Sequence, residues 1–185
     1  MAFNINEFRS QLTFDGARPN YFEIYLTFPG NVLEAGTASV KSTFMGKASQ
    51  IPGSNIGNVP LYYFGREVKV PGNRTFTDWT VTIIQDEDYI IRNAFENWMQ
   101  LINAHGGNIR DQSMVNFLGY SVNATVIQYG KAGDIIAQYD FVGLYPSDLA
   151  PIDLDWQSND TIEEWNATLT YQYWTKTKPI PVTDL

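Results

Sequence analysis

Hydrophobic and polar positions follow two different periods along this chain. In "YFEIYLTF", residues 21–28, Phe22, Ile24, Leu26 and Phe28 share one side of a two-residue repeat. That alternation predicts a strand with one buried face. Trp79, Val81 and Ile83 alternate with Thr80 and Thr82 in the same way and predict a second half-buried strand. From Asp86 the period lengthens. Ile91, Phe95, Trp98 and Leu101 or Ile102 recur at helical spacing with Ala94 beside them, so a helix is expected over about residues 86–105. Asp86, Glu87 and Asp88 stand where carboxylates cap a helix and favour its positive start. Gly106-Gly107 stands where helices end.

The remaining segments carry weaker signals. "PGNVLEAGTASVK", Pro29–Lys41, reads as a loop, because Pro-Gly and further small residues deny it a period. Strands are expected over Ser42–Ile51, ended by Pro52-Gly53, and over Leu61–Val70 with a bend at Gly65; "SNIGN" between them reads as a turn. Gly119–Gln128 and Asp134–Leu144 predict a hairpin joined by "YGKAGD". "YPSDLAPIDLDWQSND" reads as a loop. Ile162–Trp174 predicts one long strand, with Trp165, Ala167, Leu169, Tyr171 and Tyr173 on a single side. The sum is one domain over residues 1–185, mainly β: an antiparallel sandwich or barrel with one flanking α-helix and a mobile tail at 175–185. Its expected core holds Trp79, Val81, Ile83, Ile91, Phe95, Trp98, Trp165 and Leu169.

Composition narrows the function classes. Hydrophobic residues are 44% of 185 and aromatics 15%, enough for a packed interior. Charged residues are only 17%, against roughly a quarter in an average soluble domain. Asn, Thr, Ser, Gln and Tyr fill the gap, as on surfaces that meet other proteins. The formal net charge of −8 and the lack of any basic run argue against phosphate neutralisation and against an anionic membrane surface. With no cysteine, disulfides, thiolate metal sites and cysteine nucleophiles are excluded. "MAFNINEFRSQL" has no basic stretch leading into an apolar one, and no run approaches the ~18 apolar residues of a membrane helix. Folding in a cytoplasm, without stable membrane association, is the expectation.

Candidate chemistry is sparse. The single histidine, His105, falls at the end of the expected helix, where its ordinary role is to face carbonyl ends. Glu163 and Glu164 are neighbours in a strand and point to opposite faces, so they cannot act as a facing pair. Asp153 and Asp155 could share a face, but beside turn residues they more often bond their own backbone. Abundant Trp and Tyr would suit a carbohydrate-binding sandwich, yet Trp79, Trp98 and Trp165 sit on the expected apolar faces. No catalytic, cofactor-binding or metal residue is assigned.

"GNRTFTDWTVTIIQDEDYIIRNAFENWMQ" closely resembles the central segment of the tail tube proteins of contractile-tailed bacteriophages. "GLYPSDL" followed by "LDWQSNDTIEEWNATLTYQYW" resembles that family's C-terminal strand region, and "ARPNYFEIYL" resembles its first strand. Together the blocks span most of Ala17 to Trp174, in order. The resemblance implies a non-enzymatic structural subunit, without cofactors, of a tail-tube-like fold. Six copies would form a ring, and rings would stack into a hollow tube inside a contractile sheath. Its implied partners are itself, the sheath protein, and the baseplate, tape-measure and tail terminator proteins. It implies a place in the virion after assembly in the host cytoplasm, with DNA passing the lumen unbound. A related contractile injection system carrying effectors is the alternative.

Two expectations attach to particular residues. Compared with shorter members of the family, Pro29–Lys41 resembles an insertion, and Pro29, Gly30, Asn31, Val32, Leu33 and Glu34 are candidates for contacts between copies. Its deletion is expected to leave the monomer folded and to impair ring stacking. The lumen is expected to be net negative, because a wall of Lys and Arg would capture phosphates. The polar faces of Ser42–Ile51, Leu61–Val70 and the Gly119–Leu144 hairpin are its candidates.

Overall fold

The structure, a computed structural model, describes residues 4–12 and 16–177. In chain order these form α1 (Ile5–Gln11), β1 (Phe22–Leu26), α2 (Ala35–Met45), β2 (Gly46–Ser49), β3 (Asn55–Tyr63) and β4 (Arg66–Thr75). β5 (Trp79–Ile84), α3 (Ile90–Ile102), α4 (Phe117–Tyr120), β6 (Val122–Tyr129), β7 (Ile135–Leu149), β8 (Glu164–Thr170) and β9 (Tyr173–Thr177) follow. Pairing is antiparallel throughout, in the order β1-β6-β7-β8-β5-β2, with β9 added to β7 and β3-β4 standing apart as a hairpin.

The 15-residue β7 makes one curved sheet serve as two layers. Its first part pairs β6 on one side and β9 on the other; its last residues, Tyr145–Leu149, pair β8. The corner lies at Gly143, whose φ of +69° only glycine adopts readily. A Cβ there would come within 2.6 Å of the Phe117 ring and 2.8 Å of Gln172. At this corner the inward parity changes on both strands. Phe141 and Leu144 are both buried on β7, and Tyr171 and Trp174 both pack on the core from the paired chain. Corners of this kind let strands pass from one layer to the other.

Helix α3 closes the interior. Ile91, Ala94, Phe95 and Trp98 line its buried side. Phe95 meets Phe28 edge-on at 4.9 Å and Trp165 at 5.5 Å; Trp79 stacks on Phe141 at 4.3 Å. Each buried indole N–H has an acceptor. Trp98 donates to the Tyr120 carbonyl at 2.9 Å, Trp165 to Gln85 Oε1 at 2.8 Å and Trp79 to Ser49 Oγ at 2.9 Å. The eight residues expected in the core are all placed inside, none more than 5% exposed.

Several local expectations are corrected. Pro29–Lys41 is irregular only as far as Glu34; Ala35–Met45 is helix α2, which also takes the first residues of the strand expected at Ser42. Its small residues give no period because they serve close approach: Ala38 and Ser42 are buried, and Ser39 Oγ accepts from the Phe28 N–H at 3.2 Å. Tertiary contact here overrides weak propensity. Val32 is 4% exposed and Ala38 0%, so excising 29–41 would open the core rather than leave a folded monomer. "SNIGN" enters β3, and Leu61–Val70 is two strands joined at Phe64-Gly65, both at positive φ. Gly119 belongs to α4, not to a strand. The strand expected over 162–174 breaks at Tyr171-Gln172, which turns Tyr173 outward; Thr175–Thr177 of the expected mobile tail are paired in β9, and 178–185 lie outside the described residues.

Helix α3 is shorter than expected and differently begun. Tyr89, at φ 55°, precedes it without a side-chain cap, and its first turn holds no carboxylate. Asp88 nevertheless caps it from one residue further out, its Oδ1 accepting from the Ile90 N–H at 3.1 Å, and both Asp86 and Asp88 also pair with Lys41 of α2, with Asp86 Oδ2 2.6 Å from the ammonium. Those partners hold Lys41 above and both aspartates below their ordinary pKa values. At the other end Asn103, not the glycine pair, follows the last turn.

Trp98→Ala should cost about 3–5 kcal/mol, because it vacates a fully enclosed site and orphans the Tyr120 carbonyl. Urea denaturation of the monomer reads this as a lowered midpoint. An unchanged midpoint would refute the packing described for α3.

Candidate assembly surfaces

Among the described residues Asp153, Asp155, Glu163 and Glu164 line one open pocket of about 550 Å³ beside Trp156, but no group of three or more acids or histidines is placed to hold a metal ion, and His105 lies apart from it. Asp155 accepts from the Gln157 N–H at 3.0 Å in a local turn, Glu163 accepts from the Tyr89 hydroxyl at 3.0 Å, and Glu164 pairs with Lys47 at 2.5 Å. His105 lies in the turn after α3, its backbone N–H donating to Gln100 Oε1 at 3.3 Å. What the fold offers is surface.

The first surface is the outward side of β1, β6, β7 and β9. Register aligns Tyr25, Thr125, Asp140 and Thr175 in one row across the sheet, and Glu23, Ile127, Gln138 and Thr177 in the next. Neither row holds a lysine or arginine. Its two carboxylates are already held: Glu23 accepts from the Tyr25 hydroxyl at 2.9 Å and from Tyr129 at 2.6 Å. The Tyr129 hydroxyl is pushed well above its ordinary pKa by that bond to Glu23, with burial adding to it. Asp140 accepts from Thr125 at 2.7 Å, Gln138 at 3.0 Å and Thr177 at 2.6 Å. Burial alone would raise the Asp140 pKa, but the bonds from Thr177, Gln138 and Thr125 outweigh it and hold the carboxyl below its usual value.

The second surface is the hairpin β3-β4. The pairs Val59–Val70, Leu61–Val68 and Tyr63–Arg66 put an apolar ladder on one of its faces, and all six residues are exposed. Pro60–Lys69 and Tyr62–Glu67 occupy the other face. Phe64, at the tip, is 93% exposed. The two strands make their contacts chiefly with each other. At the hairpin's bulge, Gly72 lets the strands close: a Cβ there would sit 3.1 Å from the Gly57 carbonyl oxygen. A two-stranded ribbon of this kind is marginal in water alone. Its signal in the sequence was the alternation Val59, Leu61, Tyr63, which Pro60 concealed.

Of the six residues singled out as contact candidates, Pro29 and Val32 are buried, while Gly30, Asn31, Leu33 and Glu34 are exposed. Asn97 on α3 fixes this turn by accepting the Leu33 N–H at 2.9 Å. Beside it, α2 exposes Val40 and Phe44.

The family model described as phage tail tube protein matches residues 17–177. The chain belongs to that family. The tail tube protein gp19 of Enterobacteria phage T4 is 31% identical over 161 residues, covering 86% of this chain and 91% of that one. The tail tube protein of Serratia phage KSP90 is 23% identical over 171 residues, covering 90% and 93%. The fold itself recurs in a solved chain of the anti-feeding prophage tube-terminating cap, with a TM-score of 0.59 at 13% identity, covering 96% of this chain and 99% of that one. It recurs also in a sheath-tube complex of an extracellular contractile injection system, at 0.52 and 12%, covering 96% and 99%. As a tail tube protein the chain is a structural component of a phage tail, and the surfaces above are the ones available for building it.

Asp140 anchors β9, the last strand described, through Thr177. Its folded pKa lies below the ordinary carboxylate value of 3.8, so its contribution is complete above that value and fades as pH falls through the depressed one. The protection of backbone amides 173–177, measured against intrinsic exchange at each pH, should therefore fall below about pH 4, and Asp140→Ala should lower it in the same way at pH 7. Exchange in the variant equal to wild type at neutral pH would contradict the anchoring role.

Proposed function

We propose that copies of this chain close into rings, six to a ring as the family resemblance implies, and that the rings stack into the hollow tube through which phage DNA leaves. The observation that carries this reading is the apolar ladder of the β3-β4 hairpin, which none of the described residues covers. In a lone protein such a face is a liability; in a repeating assembly it is a joint. The outer edge of β9 serves the same end, since pairing between copies satisfies backbone groups that one copy leaves open. Head-to-tail contacts that close by rotation make a ring, and stacking repeats the arrangement along the axis.

The outward side of β1-β6-β7-β9 supplies the lumen wall in this reading. It offers carboxylates, hydroxyls and amides, and no cation to trap a phosphate. Of the segments expected at the lumen, this reading keeps the Gly119–Leu144 hairpin as β6-β7 and sets the other two aside: Ser42–Met45 is helical, and Leu61–Val70 carries Arg66 and Lys69. Sheath, baseplate, tape-measure and terminator proteins are the proposed tail partners, assembly takes place in the host cytoplasm, and the exposed turn at Leu33 with Val40 and Phe44 of α2 remains a contact surface. The phage role is favoured over an effector-carrying system because the relatives with substantial sequence identity are phage proteins.

Electron microscopy of the concentrated protein, alone or with a tail nucleus, should show rings or hollow filaments. Thr125→Lys with Thr175→Lys should still assemble but slow DNA release from complete virions, because each ring would then carry cations on its wall. Release at the wild-type rate would remove these strands from the lumen, and a protein that stays monomeric beside a functional nucleus would refute the tube.

A further inference from the structure

β5 carries the two most strongly contrasted surfaces of the chain at its two ends. Where it starts, Trp79 bonds Ser49 and the Gln50 carbonyl, and here the hairpin β3-β4 departs between β2 and β5. Where it finishes, Ile84 pairs with Glu164 and Gln85 N–H bonds the Glu163 carbonyl, and here the loop 150–163 departs between β7 and β8. The six residues of β5 separate these poles by about 17 Å at strand rise.

The poles match in character. The hairpin bears Arg66, Lys69 and Arg74 against one acid, Glu67, in a chain that is otherwise strongly acidic. The 150–163 loop bears Asp153, Asp155, Asp160 and Glu163 and no basic residue. Both also present apolar groups to solvent. The loop's Trp156 is 100% exposed and Leu154 78%, alongside the exposed ladder of the hairpin. An exposed indole flanked by carboxylates is a fitting seat for an arginine set beside valines and a leucine: the ring takes the guanidinium face, and the carboxylates take its donors.

We propose that the hairpin of one copy seats on the 150–163 loop of a second copy in the next ring, with Arg66 between Asp153 and Asp155 and the Val59–Leu61–Val68–Val70 face against Leu154 and Trp156. The proposal rests on the tube reading and adds to it the identity and the polarity of the seam. Because the two halves lie at opposite ends of one strand, only head-to-tail stacking joins them, and every ring repeats the direction of the last. Opposite charges at the two poles disfavour hairpin-to-hairpin and loop-to-loop encounters, which would bring like charges together.

The chain has no cysteine, so Val68→Cys with Leu154→Cys makes a clean test in full-length protein. Oxidation of assembled tubes should yield a ladder of linked chains, and neither single variant should. A ladder from Val68→Cys with Val40→Cys instead would move the seat to α2 and overturn the proposal while leaving the tube standing. In a second arm, Arg66→Glu and Asp155→Arg should each slow tube elongation by ~10-fold, and the combined variant should recover most of it. No recovery would overturn the charge pairing. All five substituted positions are exposed, so monomer circular dichroism should be unchanged. If wild-type protein forms no tube on a functional nucleus, the reading beneath the seam fails and the seam with it.

Discussion

The constraint that organises this molecule is that a strand edge must be paired, covered or left as an invitation. The sheet handles most of its edges internally. β7 is bordered on both sides, and β5 and β8 lie between neighbours. The edges of β1 and β2 come close where Gly46 lies against Ile24, and α2 bridges the two strands. What this leaves is the outer edge of β9 and the entire hairpin. In the proposed tube, these open margins are the places where a second copy would complete what the first cannot.

That division depends on a stiff body. The aromatic cluster of Phe28, Phe95, Trp98 and Trp165 joins α3 to both the first strand and the second layer, and each buried indole N–H is bonded. Interlocking rings with satisfied polar atoms resist shear better than an aliphatic interior would, because sliding costs contacts and hydrogen bonds together. Arg92 extends the bracing outward: it lies 4.8 Å over the Trp165 ring and donates to the Ala150 carbonyl at 2.9 Å, fixing the start of the 150–163 loop to the helix. A loop so held can present Trp156 and Leu154 without collapsing onto the body.

The parts legible from sequence are those where burial imposes a period. Trp79, Val81 and Ile83 alternate, Ile91, Phe95 and Trp98 recur at helical spacing, and both patterns place their residues inside. Helix α2 was hidden because its buried side is made of Ala38, Ser39 and Ser42, small residues that pack tightly but carry no hydrophobic signal. The hairpin was hidden for the opposite reason: its apolar alternation is real, but it faces away from the core, and Pro60 breaks the look of a strand. The long final strand misled because alternation was extrapolated through Gln172, whereas the corner at Gly143 switches faces on both paired strands. Glycine's left-handed conformation leaves no mark in a hydrophobic pattern.

The acidic balance is distributed rather than uniform, and the distribution matters more than the total of −8. On the outward side of β1-β6-β7-β9, Glu23 and Asp140 accept bonds from tyrosine, threonine and glutamine neighbours, which stabilise Asp140 in its charged form. Satisfied in this way, Asp140 keeps its charge without reaching for a cation, so in the proposed tube a passing polyanion would meet a repulsive field within a Debye length of about 8 Å. Several of the chain's cations are used elsewhere: Lys41 ties α2 to Asp86 and Asp88, Lys47 joins Glu164, and Arg66 and Lys69 stand on the hairpin, while Lys176 of β9 lies over the Tyr139 ring in a row alternate to those of Asp140 and Gln138. In the proposed tube, placing Arg66 and Lys69 on the joint and keeping lysine and arginine out of the rows of Asp140 and Gln138 would let one small subunit bind its own copies while leaving DNA little to hold.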